Sequence, residues 1–152
     1  MGVYLLVAHQ TAESDELLAA AQDLRRDDPA AQFVMLVPAT PVGHLLAWEE
    51  GETRELARRA ADSARAKLQK GGLDVVDAVV GDPDPVQAIG DHFREGRRRY
   101  GAIVLSTLPQ GVSRWLRMDV PSRVRRHYPA LHVIHVESQL PPGAASDQDR
   151  DR

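Results

Sequence analysis

The chain has 152 residues, 43% hydrophobic and 27% charged, with a net charge of −3 and no cysteine, which suits one domain around one buried core. The lack of cysteine excludes a disulfide framework, a thiolate metal site and a cysteine nucleophile. No apolar run approaches the ~20 residues that span a bilayer, and MGVYLLVAHQ lacks the basic region and cleavage site of a signal peptide, so a soluble, cytoplasmic protein is expected.

VYLLVA at residues 3–8 is a short continuous apolar run, the pattern of a strand buried on both faces of a parallel sheet. The polar loop HQTAES follows, in which Thr11 or Ser14 caps a helix with an acidic first turn of Glu13, Asp15 and Glu16. Leu17, Leu18, Ala21 and Leu24 recur at helical spacing and face the sheet, and DDP ends the element. QFVMLV at 32–37 is the second strand and PATPVG at 38–43 its loop. Between residues 52 and 70 a helix carries Leu56, Ala57, Ala60, Ala61, Ala64 and Leu68 as one narrow apolar stripe, and Gly71-Gly72 supplies a left-handed stop.

LDVVDAVV at 73–80 is the third strand, and GDPDP offers Asp82 or Asp84 as a cap with Pro85 in the first turn of a helix that aligns Val86, Ile89 and Phe93. GAIVLST at 101–107, a short helix at 120–127 and LHVIHV at 131–136 complete the series. The polar, aperiodic SQLPPGAASDQDRDR at 138–152 is expected to be a disordered tail behind a domain of residues 1–137. Strands separated by helices define an α/β fold, a doubly wound five-stranded parallel sheet with helices on both faces. In such folds ligands sit beyond the carboxyl ends of the strands, so the informative loops are HQTAES, PATPVG, VGDPDP and STLPQGVSRWLRMDVPS.

Those loops exclude several chemistries. There is no GxGxxG after the first strand and no GxxxxGK[ST], hence neither a dinucleotide fingerprint nor a P-loop. A receiver domain would need acids after the first strand and a lysine after the last, where His9, Gln10 and Glu137 stand. His132 and His135 are three apart on one strand and point to opposite faces, so the histidines form no metal constellation. No GxSxG is present, and Ser113 has no base partner visible in sequence, so no catalytic residue is assigned. Between Asp91 and His127, nine arginines face three acids; without interleaved aromatics this surplus reads as solvated helix faces rather than a nucleic-acid surface.

VVGDPDPVQAIGDHFREGRRRYGAIVLST, followed by SRWLRMDVPSRVRRHYPALHVIHV, resembles the universal stress protein family: its Gly-x-Pro, helix, fourth strand with a nucleotide loop, closing helix and final strand. VAHQTAES lies where that family has a strand ending in Asp before a helix, so the resemblance spans most of residues 3–137. It implies strand order 3-2-1-4-5, which makes LHVIHV an edge strand. An apolar edge invites pairing, and an antiparallel homodimer through residues 131–136 is expected.

The departures carry the functional reading. ATP-binding members of the family have G-x2-G-x9-G-[ST] in the fourth loop, with glycines that let backbone approach phosphate and open a helix N-terminus toward it. Here Ser106, Pro109 and Asp119 stand at the glycine positions and Val120 at the Ser/Thr position, while His9 replaces the adenosine-contacting Asp. Asp119 is expected to cap the last helix and to fill the anion site with its own carboxylate, where a phosphate would meet like charge at a cost of about 1–4 kcal/mol. The candidate degenerate pocket comprises His9, Gln10, Thr11, Gly81, Ser106, Thr107, Gly111, Ser113, Arg114, Arg117 and Asp119.

The resemblance and its departures together imply a non-catalytic dimeric module of stress response or regulation. It would carry no cofactor, with ATP and AMP disfavoured, and work with a protein partner not identifiable from sequence. One alternative is binding of an adenine nucleotide or small anion by a modified loop 106–122, with Arg114 or Arg117 replacing the glycine contacts. The other is a nucleotide hydrolase, for which the sequence shows no acid-base or metal cluster.

Overall fold

A computed structural model describes residues 2–41 and 50–139, with backbone alone considered at 50–52. The chain runs β1 (Val3–Val7), α1 (Asp15–Asp27), β2 (Gln32–Pro38), α2 (Glu50–Lys70), β3 (Asp74–Gly81), α3 (Pro85–Glu95), β4 (Ala102–Thr107), α4 (Arg114–Arg117), α5 (Val120–His127) and β5 (His132–Glu137). All four strand pairings are parallel, and the order is β3-β2-β1-β4-β5. Every described strand and every expected helix is present within a residue or two of its sequence boundaries. Residues 42–49, which include the end of the PATPVG loop, and the tail from residue 140 lie outside the described residues.

The alternation within β1 explains the layers. Leu6 and Ala8 join Leu17, Ala57, Ala61, Ala64 and Leu68 in a core under α1 and α2, whereas Leu5 and Val7 join Ile89, Val120 and Val124 under α3 and α5. Leu5, Leu6 and Val7 are each 0% exposed, as strands covered on both faces require. Alanines on α2 let that helix lie close to the sheet. Leu56, expected on the same stripe, is instead an exposed hydrophobic, because it lies one position off the 57-61-64-68 line that meets the sheet.

The caps follow local chemistry. Ser14 Oγ accepts from Leu17 N at the start of α1, and Asp84 accepts from Val86 N at the start of α3, with Pro85 in its first turn. Gly72, at φ +92°, ends α2 while Leu73 N donates to Leu68 O, a Schellman closure that favours glycine. Gly81 has a different constraint: a Cβ there would lie 2.7 Å from Ala88 Cβ, so its absence lets α3 pack on β3.

The two sheet edges are treated unequally. Arg58 Nη2 donates to Ala78 O at 2.7 Å and Arg65 Nη2 to Val75 O at 3.2 Å, so side chains of α2 occupy carbonyls of β3. No side chain among the described residues bonds the backbone of β5 in this way. Among those residues, no helix is long and apolar enough to cross a membrane.

Candidate functional site

In the order β3-β2-β1-β4-β5 the direction of winding reverses between β1 and β4, and the crevice beyond their carboxyl ends is where a doubly wound sheet offers a ligand site. The loops after β1 and β4 do meet there. Thr11 and Ser106 are linked through their hydroxyls at 2.6 Å. Ser106 is in turn 3.0 Å from Ser138, and Ser14 donates to Ser138 at 2.9 Å.

These four hydroxyls form one run. Ser14 accepts from Leu17 N and donates to Ser138, so Ser138 can donate to Ser106 and Ser106 to Thr11, each serine oxygen accepting one bond and giving one, and Thr11 accepting the last. Thr11, Ser14, Ser106 and Ser138 are all buried, and connected buried hydroxyls polarise one another. Ser138, at the start of the stretch read from sequence as a tail, is 0% exposed and its N–H also donates to Thr107 O at 2.8 Å. Its role had no signal in sequence, since a serine after the last strand looks like any polar residue.

Thr107 is committed as well. Its hydroxyl donates to Leu108 O at 2.9 Å, leaving its oxygen to accept from Nε2 of His135 at 2.8 Å. Gln10 is exposed on the turn after β1. Gly81 ends β3, two strands from β1, and so stands apart from the crevice.

The loop after β4 is more ordered than its sequence suggests. Val112 N and Ser113 N donate to Pro109 O, Gly111 takes φ +97°, and Ser113 caps the single turn α4 by accepting from Leu116 N at 3.2 Å. Ser113 is therefore a buried capping group rather than a nucleophile in waiting. From α4, Trp115 donates its indole N–H to Thr40 Oγ1 at 3.3 Å, Thr40 donates to Pro83 O at 2.7 Å, and Arg114 donates to Pro41 O at 3.2 Å. Trp115 is 7% exposed. Neither α4 nor this bridge was expected; the only hint was the loop's one aromatic residue. Arg117 is exposed and has no partner among the described residues.

Asp119 corrects an expectation. It stands at the capping position of α5 but makes no side-chain cap, with φ 57° and ψ 36°. The left-handed backbone turns its side chain out: the carboxylate is 60% exposed and lies 3.9 Å from Arg126. It therefore does not fill the helix N-terminus. Val120 N–H and Ser122 N–H have no side-chain cap, and Pro121 has no N–H to offer. Asp119 is also the one described non-glycine residue with positive φ. A position that needs φ > 0 is one where glycine is the unstrained choice.

His9 follows β1 with both ring nitrogens buried and no hydrogen-bond partner for either among the described residues. Burial pushes its pKa below the ordinary imidazole value, as it does for His92 and His135. Below about pH 6.5 the unfolded chain thus binds more protons than the native one, so stability is complete above that pH and falls as pH drops through it. His9→Leu is expected to flatten part of this slope. It should also raise stability at pH 7 by about 1 kcal/mol, because it removes unpaired buried polar atoms. Thermal melts from pH 5 to 8 check both; an unchanged slope with a lowered Tm would count against an unpartnered His9.

Away from the crevice, a groove of about 350 Å³ runs beside β3 and α3, lined among others by Asp82, Asp91, His92, Glu95 and Arg54. No group of three or more potential metal ligands converges among the described residues.

The fold is that of a doubly wound parallel α/β domain with its crevice at the switch in strand order. Among solved structures the chain is similar to a protein of the universal stress protein family from Burkholderia pseudomallei, with TM-score 0.58 and 20% identity over 90% of this chain and 96% of that one. It is similar also to a universal stress protein from Archaeoglobus fulgidus (TM-score 0.59, 16% identity, 90% and 94% covered) and to a universal stress protein in complex with cAMP (TM-score 0.53, 16% identity, 91% and 98% covered). This protein thus has the universal stress protein fold over nearly the whole length of those structures. No protein-family model and no curated protein matches the sequence.

Proposed function

We propose that the protein is a non-catalytic, dimeric, universal-stress-protein-like module of stress response or regulation that does not bind ATP in the family's usual way. The observation that carries this reading is the crevice itself, whose floor is joined across β1 and β4 by the Thr11–Ser106 contact and extended by Ser138. Glycines at positions 106 and 109 would leave room for a phosphate; here a serine hydroxyl and a proline ring stand there instead. Calorimetric titration of ATP, AMP and their magnesium forms, with mass spectrometry for a co-purified ligand, tests it. No heat with ATP is expected, and micromolar ATP binding overturns the reading.

The dimer belongs to the same proposal. The carbonyls of β3 already accept from Arg58 and Arg65, so β5 is the edge left open for a second copy. Sedimentation at micromolar concentration should show a dimer that His135→Pro dissociates, since the N–H groups of residues 132, 134, 136 and 138 face β4 and that of His135 faces the open edge, where proline removes it. A monomer of the unaltered protein counts against it.

A second reading is supported by the uncapped start of α5. With Asp119 turned outward, Val120 N–H, Ser122 N–H and Arg117, which has no partner among the described residues, could receive a small anion or AMP. The similar structure in complex with cAMP makes the class of ligand concrete. AMP binding that collapses in Arg114→Gln or Arg117→Gln would favour this reading over the first.

A further inference from the structure

At the end of the sheet opposite the crevice, β4 and β5 enter side by side, so residues 96–101 and 128–131, which lead into them, lie together. There Tyr100, Phe93 and Tyr128 form a row, with ring centroids 5.5 Å apart for the first two and 4.9 Å for the second pair. His92 extends the row, 5.6 Å from Tyr100, and its Nε2 lies 2.6 Å from the Tyr100 hydroxyl. All four residues are partly exposed.

Arginines flank the row. Arg94 pairs with Asp91, and Arg98 lies 3.8 Å from Asp77, but Arg97, Arg99 and Arg125 are exposed and have no hydrogen bond or ion pair among the described residues. Arginine in the last turn of a helix answers the helix dipole, which accounts for Arg125 in α5. Arg97 and Arg99 lie beyond α3, in a stretch with neither helix nor strand, where no such role exists. Along the chain this run of three arginines has no aromatic inside it; the fold sets the rings beside it.

Unpaired guanidinium groups bind phosphate, and aromatic rings among them offer platforms on which bases stack, the chemistry that holds single strands without sequence preference. A ligand of phosphate alone would leave the rings idle, and a duplex hides the faces of its bases. We propose that the Tyr100–Phe93–Tyr128 row and the arginines beside it form a second surface, which binds single-stranded nucleic acid. It is independent of what the crevice holds. Because the chain's net charge is −3, the attraction is local and salt-sensitive rather than a field of the whole molecule.

Fluorescence anisotropy with a labelled oligouridine of about 12 nucleotides tests this. Dissociation constants of roughly 10⁻⁴ to 10⁻⁶ M are expected at physiological salt, with log affinity falling by about 2 per tenfold rise in salt if each unpaired arginine meets one phosphate. Arg97→Gln combined with Arg99→Gln should weaken binding about tenfold or more and reduce that slope to about 0.7. Arg59→Gln, on α2, should change neither. Tyr128→Leu, checked for folding by circular dichroism, should bind about fivefold or more weakly at an unchanged salt slope, while Tyr128→Phe should bind as the parent does.

No binding to the unaltered protein at low salt would overturn the surface, and so would binding untouched by the paired arginine substitutions. Two results with the unaltered protein need no variant. Inorganic polyphosphate of equal charge, or duplex RNA, bound as tightly as oligouridine would overturn the role of the rings. An acidic peptide bound more tightly than oligouridine would make this a protein-docking face instead.

Discussion

Ser106→Ala is expected to lower stability by about 2 kcal/mol, more than the net worth of a typical hydrogen bond, because it leaves buried hydroxyls of Thr11 and Ser138 without their shared partner. Each of those oxygens is out of contact with solvent, so water does not replace what is lost at small cost. A double-mutant cycle separates this from the loss of one hydroxyl. If Ser106 and Ser138 act through one network, the double alanine variant costs little more than either single one, giving a coupling energy of about 1 kcal/mol or more. Urea melts of the four proteins measure it. Additive losses would mean that the four hydroxyls are separate bonds and the crevice floor is not a cooperative unit.

The second large effect lies at Asp119. An L-residue in the left-handed region costs roughly 1–2 kcal/mol, less for Asp and Asn, whose short polar side chains tolerate it, and more for a β-branched chain. Asp119→Val is therefore expected to destabilise by about 2 kcal/mol, while Asp119→Gly should be neutral or stabilising by up to about 1 kcal/mol. Since the carboxylate already points toward Arg126 and solvent, loss of that exposed pair contributes little. Denaturant melts of the two variants give opposite signs if the backbone sets the energy. Destabilisation by glycine equal to that by valine would mean that the carboxylate, rather than φ, is what matters at this position.

The orientation of Asp119 also bears on ligand binding. Like charge was expected to repel phosphate from within the helix N-terminus, but the carboxylate is turned away from it. What now argues against ATP is steric and polar occupation by the chain's own groups: Ser106 in its hydroxyl run and Pro109 in its turn. The reading of ATP as disfavoured therefore rests on a different physical ground from the one the sequence suggested.

How much was legible from sequence depended on the range of the interaction. Strand and helix positions follow from local pattern: Leu5, Leu6 and Val7 are apolar without a break because helices cover both faces, and Asp84-Pro85 announces a helix start by itself. Even the place of the candidate site could be reached, since a doubly wound sheet has its crevice where winding reverses. Asp119 shows the limit of local reasoning. A carboxylate before Val-Pro has the composition of a cap, but whether it caps depends on one dihedral angle, and the chain path between α4 and α5 sets that angle.

Sequence by itself determined the alternation of elements and the two-faced burial of the central strands, because each is written in residue type and short spacing. Tertiary structure alone decided that Ser14, Ser106 and Ser138 share one buried network, that α2 covers the β3 edge with arginines, and that Trp115 reaches Thr40. Those contacts join residues 32 to 124 positions apart for the serines and 75 for the indole. At such separations it is sheet order, not local pattern, that brings groups together, and a hydroxyl or an indole N–H carries no mark of the partner it will meet.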